Sequence, residues 1–326
     1  MFTDIITNVG ILFVMMLPGI IMKKCRLATE NFGKGVSNLV LYIAQPALIF
    51  MAYMQDYDER ILINSVYVLL LAVVAHGIFA AGALLCFKKA PDGMKRMLRF
   101  ATIFSNAAFM GIPLIKEVLE KDFPGATLYA SIYNIVFNLV LWSLGVYLCT
   151  AGKDTDKDGI SDHAEARQEG ASISKALLHP VTIAAAIGLV FFITPLNSYV
   201  PDLATECLSK IADLVAPLAM VVIGLRLPDI DFKGIWRDGR MYLFLALRHV
   251  ILPLIVVGVV RLVMLLPIGM DPAVGKVIVI MASAPAATSA TMFAEKYGCD
   301  APYISKLVAV STLFSIATMP FITLLV

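Results

Sequence analysis

The sequence predicts an all-α membrane protein of ten transmembrane helices, arranged as two inverted five-helix repeats with broken crossover helices in spans four and nine. Three observations carry the prediction. Of the 326 residues, 60% are hydrophobic and only 15% charged, whereas a soluble domain averages about 25% charged residues. Most of the chain must therefore face lipid or other apolar helices. Ten apolar runs approach the roughly 20 residues that a helix needs to cross a bilayer. Prolines recur at matching places in the two halves of the chain.

The runs lie near 5–22, 35–54, 62–87, 98–119, 126–150, 176–195, 203–227, 241–266, 275–295 and 302–325. The first is short and contains Pro18, so it is expected to tilt or kink. It ends in Lys23-Lys24-Cys25-Arg26 rather than at a small-residue cleavage site and has no basic segment before it, which reads as a retained span. The net charge of +2 gives no reason to expect a nucleic-acid partner. The five cysteines (Cys25, Cys86, Cys149, Cys207, Cys299) are dispersed and without C-x-x-C spacing, so neither a disulfide framework nor a zinc site is indicated.

Orientation follows from the loops. Lys23, Lys24, Arg26 and Lys34 follow span one, Lys88, Lys89, Lys95, Arg96 and Arg99 follow span three, and Arg226, Lys233, Arg237 and Arg240 follow span seven. The alternate loops are poor in Lys and Arg. The basic side is expected to be cytoplasmic, with both termini outside, in the plasma (bacterial inner) membrane.

Pro46 in span two and Pro217 in span seven are 171 residues apart, and Pro113 in span four and Pro285 in span nine are 172 apart. A common offset divides the chain into a first repeat, 1–150, a polar central loop, 151–175, and a second repeat, 176–326. Five spans per repeat make the second enter from the opposite side.

The prolines of spans four and nine stand in the stretches Ser105-Asn-Ala-Ala-Phe-Met-Gly-Ile-Pro113 and Ser283-Ala-Pro-Ala-Ala-Thr-Ser289. A mid-helix proline leaves the carbonyl four residues earlier without its donor, here Phe109 and Met281. In hydrocarbon such a carbonyl is tolerated only where it is buried in protein or lines a cavity. Paired breaks in the two halves point to the binding site of a secondary transporter. Half-helix N-termini there carry partial positive charge and free N–H groups that suit a carboxylate. The substrate-binding candidates are therefore Asn106, Gly111 and Pro113 in the first stretch, and Ser283, Pro285, Thr288 and Ser289 in the second. Asn134 and Asn138, one turn apart in span five, and Gln45 in span two join them. The alternative for each small polar residue is hydrogen bonding and close packing between helices.

Ionisable groups inside spans are candidates for coupling to protons or sodium. Asp213 lies one turn before Pro217, where it could carry a proton or pair with Lys210. His76 lies near the centre of span three, where the pKa range of histidine suits a proton relay, the alternative being a neutral ring bonded to a neighbouring carbonyl. Arg248, in span eight beside His249, could attract an anion or snorkel to the cytoplasmic face.

In the central loop, Asp154, Asp156, Asp158, Asp162 and Glu165 occupy positions 1, 3, 5, 9 and 12 of a calcium-loop pattern, with glycine at 6 and the Ile160 carbonyl at 7. An apolar residue at 7 rather than 8 departs from paired EF-hands. The alternatives are a calcium site and a solvated acidic linker. No other cofactor is called for.

The order of motifs resembles the auxin efflux carrier family, which includes plant PIN-type carriers and bacterial malate or malonate permeases. The resemblance rests on Asn38 to Pro46, Ser105-Asn106 with Gly111-Ile-Pro113, His179-Pro180, Ala216-Pro217, Gly224-Leu-Arg, Ala284-Pro285 and Ser311-Thr312 to Pro320. It implies that spans one, two, six and seven form a scaffold, often dimeric, and that the others form a transport domain. It further implies that spans four and nine cross at their proline breaks, and that an organic anion bound beside the crossing moves by an elevator-like shift. The acidic residue with which bile acid sodium symporters of similar architecture hold sodium has no match here. An intramembrane enzyme is disfavoured by the absence of H-E-x-x-H, G-x-S-x-G and Walker A patterns. The remaining alternative is a transporter-like receptor whose central loop responds to calcium.

Overall fold

A computed structural model describes residues 2–29, 31–150, 173–229, 237–297 and 299–326. Among them the regular structure is helical. We number the helices α1 Ile6–Lys24, α2 Phe32–Tyr53, α3 Glu59–Cys86, α4 Asp92–Ile103, α5 Ile112–Val118, α6 Ala126–Thr150, α7 Pro180–Ile193, α8 Asp202–Asp229, α9 Gly239–Met264, α10 Pro272–Ser283, α11 Ser289–Lys296 and α12 Ala301–Thr323. Seven of these (α1, α2, α3, α6, α8, α9, α12) are long and apolar enough to cross a membrane, and α7 and α10 are shorter apolar helices. The chain is an integral membrane protein. At the spans predicted near 98–119 and 275–295, expected to be broken, the structure has the helix pairs α4/α5 and α10/α11.

The helices wear their apolar side chains outward as well as inward, as lipid requires. On α3, Val68, Ala72, Ala75, Phe79 and Ala83 are buried, while Val66, Leu70 and Val73 on the opposite face are more than half exposed. α10 is buried on nearly all sides, consistent with a sequence that is apolar but for Lys276 and Ser283. Polar residues close the ends. Asp58, Asp271 and Asp300 accept from the backbone N–H of Arg60, Ala273 and Tyr303 at the starts of α3, α10 and α12. Before α6 the chain turns through Gly125 at φ +93, a conformation open to glycine. The Glu120 carboxylate accepts there from the N–H groups of Gly125 and Thr127 at 2.9 and 2.6 Å.

Two groups of helices emerge from the packing. α2 packs on α7 and α8, and α8 also packs on α1. α10 packs against α3, α6, α9 and α12, with α4 against α3 and α11 against α12. In the first group, Gly19 of α1 and Gly224 of α8 bring the two backbones into direct contact.

The prolines act differently from the sequence expectation. Pro46, Pro113 and Pro253 each stand two residues after a five-residue π-turn, at Val40–Ala44, Ala107–Gly111 and Leu247–Ile251. The residue before each proline then donates five residues back, Gln45 to Val40, Ile112 to Ala107 and Leu252 to Leu247. Widening the turn lets the helix run through the proline, so Pro113 does not break its helix.

Candidate functional site

The break in the first half lies at Phe104 to Asn106, upstream of Pro113, where the chain leaves the helix between α4 and the π-turn that leads into α5, with Phe104 extended. In the second half it runs from Ala284 to Thr288 and contains Pro285. The two breaks meet. Ser105 and Ala286 form an isolated antiparallel bridge, in which the Asn106 N–H donates to Pro285 O at 2.6 Å and the Ala287 N–H to Phe104 O at 2.8 Å. Each interrupted helix thus satisfies polar backbone of the other, the condition for non-helical chain at membrane depth. The Ala286 N–H donates sideways to Ser311 Oγ of α12 at 2.8 Å. That hydroxyl also lies 2.8 Å from His249 Nε2 of α9, and His249 Nδ1 lies 3.1 Å from Thr318 Oγ1.

Beside the crossing, between the two groups of helices, is a cavity of about 520 Å3. Lys34 and Tyr42 of α2 stand exposed at its rim, with His179, whose ring stacks on Tyr42 at 6.4 Å. Deeper in, its walls carry Gln45, Asn106, Asn134, Asn138, Thr288 and Ser289 among aromatic side chains that include Phe109, Phe137, Trp142 and Phe293. Among the described residues no acidic side chain lines it. The four amide residues are all at most 6% exposed. In each, one amide atom has no hydrogen-bond partner among the described residues: the donors Gln45 Nε2, Asn106 Nδ2 and Asn138 Nδ2 and the acceptor Asn134 Oδ1. Buried polar atoms are nearly always paired, so four unpaired ones around one cavity are an unusual concentration of them. Asn106 is tied on its other side, where its Oδ1 accepts from Thr288 Oγ1 at 3.4 Å. Two helical segments, Ala107 onward and Ser289 onward, start at the cavity, so their free N–H groups and positive dipole ends add to the field there.

Of the residues singled out from the sequence, six line this cavity: Gln45, Asn106, Asn134, Asn138, Thr288 and Ser289. Pro285 belongs to the bridge behind it. Gly111 and Pro113 are buried away from it, and Gly111 packs against Met281, whose Sδ would lie 2.7 Å from an added Cβ. Ser283 Oγ donates to Ile280 O one turn back, at 3.1 Å.

The three coupling candidates are also placed apart from the cavity. Asp213 is exposed and pairs with Lys116 of α5 at 2.6 Å, while Lys210, expected as its partner, pairs with Glu206 at 2.9 Å. His76 is buried with Nδ1 2.7 Å from Ala72 O and its ring against Tyr133. Arg248 neither snorkels nor faces the cavity. It is 1% exposed and bonded to backbone carbonyls at the crossing. The calcium-loop residues Asp154 to Glu165 lie outside the described residues; among the described ones no cluster of His, Cys, Asp and Glu could hold a metal ion.

Sequence reasoning missed Ser105, Lys34, Tyr42, His179 and Trp142 as cavity residues. The signal for His179 was present, because a His-Pro pair opening a span puts an imidazole at a helix N-cap, but its partner Tyr42 lies in another span.

A family profile described as "Membrane transport protein" matches residues 4–323. An uncharacterized transporter of Methanocaldococcus jannaschii is 22% identical over 312 residues, covering 94% of this chain and 94% of the relative. An uncharacterized transporter of Methanothermobacter thermautotrophicus is 22% identical over 310 residues, covering 94% of this chain and 93% of the relative. With helices of membrane-spanning length, two broken segments meeting in the interior and a match along nearly its whole length, the chain belongs to the auxin efflux carrier family of membrane transport proteins.

Proposed function

We propose that this protein is a secondary transporter that carries an organic anion, a carboxylate attached to an apolar body, bound in the cavity beside the crossing of α4/α5 with α10/α11. The observation that carries the reading is the set of three amide donors, Gln45 Nε2, Asn106 Nδ2 and Asn138 Nδ2, that have no partner among the described residues and surround a cavity with no acidic lining among them. Amide N–H groups and helix N-termini solvate a carboxylate without a fixed cation in the membrane interior, and the aromatic walls suit the rest of such a molecule. A small dicarboxylate such as malate or malonate is the second reading. Lys34 and His179 at the rim favour it, since they could meet a second carboxylate.

In this proposal the ten segments form two inverted five-helix repeats. α1, α2, α7 and α8 are the scaffold of a homodimer, and the remaining helices shift against it as an elevator. The rim residue Lys34 lies on the side rich in Lys and Arg, the cytoplasmic side by the positive-inside rule, so the cavity is open inward and both termini are outside. Coupling to protons and uniport both fit.

Counterflow in proteoliposomes tests the reading. Vesicles loaded with unlabelled indole-3-acetate are expected to accumulate the labelled compound transiently, and malate-loaded vesicles to do the same with labelled malate if the second reading holds. A receptor would exchange neither across the membrane, and nor would an enzyme. The calcium reading of the central loop is tested separately by calorimetry on the full-length protein. Calcium binding is expected to release or absorb heat that the Asp154→Ala variant loses, and absence of a calcium-dependent heat in the unmodified protein would remove that idea.

A further inference from the structure

Arg248 has a role that anion carriage alone does not require. Its guanidinium, carried on α9, is fully buried, and among the described residues it pairs with no carboxylate. Its partners are carbonyls from both interrupted helices. Nη1 donates to Thr102 O in the last turn of α4 at 3.0 Å, and Nη2 donates to Ala282 O in the last turn of α10 at 3.1 Å and to Ala284 O just beyond it. The ring of Phe79 lies 4.6 Å from Cζ on α3. Two helix C-termini, each carrying about half a negative charge, therefore end at one cation.

Interrupted helices in membranes commonly present such C-terminal carbonyls to a free monovalent cation, which neutralises them and thereby couples its own gradient to transport. Here the position is taken by a cation that is part of the chain. We propose that Arg248 is a tethered counter-ion for the crossing, filling the place an alkali cation would otherwise occupy. The crossing is then stable and correctly polarised, C-terminal ends toward Arg248 and N-terminal ends toward the cavity, with no sodium bound. The planar fork of arginine suits the task, because one guanidinium can reach carbonyls from two helices at once, which a single ammonium does less well.

The test reads cation binding and stability, so its outcome is independent of which solute the cavity accepts. The purified unmodified protein is expected to melt within about 1 °C of the same temperature in sodium, potassium and choline chloride, because ligand that binds only the folded state raises Tm, and to bind no 22Na+. Saturable binding of 22Na+ abolished by excess unlabelled sodium, or stabilisation by sodium alone, would overturn the proposal. Arg248→Ala is expected to melt roughly 5–10 °C lower, since three buried carbonyls lose their donors, and to recover saturably with millimolar methylguanidinium but not with choline. An Arg248→Ala protein that melts like the unmodified one, or that ignores methylguanidinium, would also overturn it. Should that variant fail to fold, Arg248→Lys and the 22Na+ measurement on the unmodified protein still decide the matter: Lys is expected to melt below Arg and to bind no sodium.

Discussion

Asn106→Leu is expected to weaken anion binding by about ten- to a hundredfold and to leave the protein as stable as before, or more so. Leucine keeps the branching of asparagine at Cγ, its extra volume faces the cavity that Asn106 lines, and the backbone N–H of residue 106, which donates to Pro285 O, is untouched. What is lost is Nδ2, a donor 97% buried with its residue and without a partner among the described residues, together with the long 3.4 Å contact from Thr288 Oγ1 to Oδ1. A hydrogen bond to a charged group contributes about 1.5–3 kcal/mol, which sets the size of the affinity loss. An unpartnered buried donor is a cost to folding, so removing it does not destabilise. The competing account, in which Asn106 serves only to hold helices together, gives the opposite pair of results: a lower Tm with unchanged affinity. Titration of labelled indole-3-acetate or malate, together with a melting curve, separates the two in one preparation.

The contrast between Pro285 and Pro113 shows what the sequence discloses and what it conceals. Both prolines were legible as helix lesions, because the missing N–H is a property of the residue alone. How the lesion is resolved is not local. At Pro285 the chain leaves the helix and its carbonyl finds the Asn106 N–H, 179 residues earlier in the chain. At Pro113 a π-turn absorbs the defect and the helix continues. The first break falls instead at Phe104 to Asn106, residues with no helix-breaking signature of their own. Asn106 was found through its polarity in an apolar run, and Gln45, Asn134 and Asn138 for the same reason.

Arg248 was visible as an intramembrane charge, but its partners Thr102, Ala282 and Ala284 lie 146, 34 and 36 residues away, on helices whose meeting no pattern within α9 encodes. Asp213 misled for a related reason. Lys210 is its neighbour in sequence, whereas Lys116, 97 residues distant, is its neighbour in space. Composition and hydropathy, which report on each residue's solvent, gave the helices. The site depends on which helices face each other, and that is written in the packing.

Packing of that kind makes Gly224 the position where a single added side chain should do most harm to the fold. A Cβ there would lie 2.1 Å from Met16 O and 3.2 Å from Ile20 N, and across the same contact a Cβ on Gly19 would lie 2.2 Å from Val221 O and 2.8 Å from Leu225 N. All four obstacles are backbone, so no rotamer change relieves them. Between helices in lipid there is little hydrophobic drive to hold the pair together once it is forced apart, and association rests on close contact at small residues. Gly224→Val is therefore expected to destabilise the protein by on the order of 3 kcal/mol, the upper part of the range for overpacking, and to lower Tm by several degrees. Gly10→Val is the matched control: it stands on the same helix as Gly19, and a Cβ there meets nothing within 4 Å. It is expected to melt within about 1 °C of the unmodified protein, surface changes of this kind falling near ±0.5 kcal/mol. Equal melting of the two variants would mean that α1 and α8 do not approach through these glycines, and the packing that places α2 and α7 along the cavity would have to be redrawn.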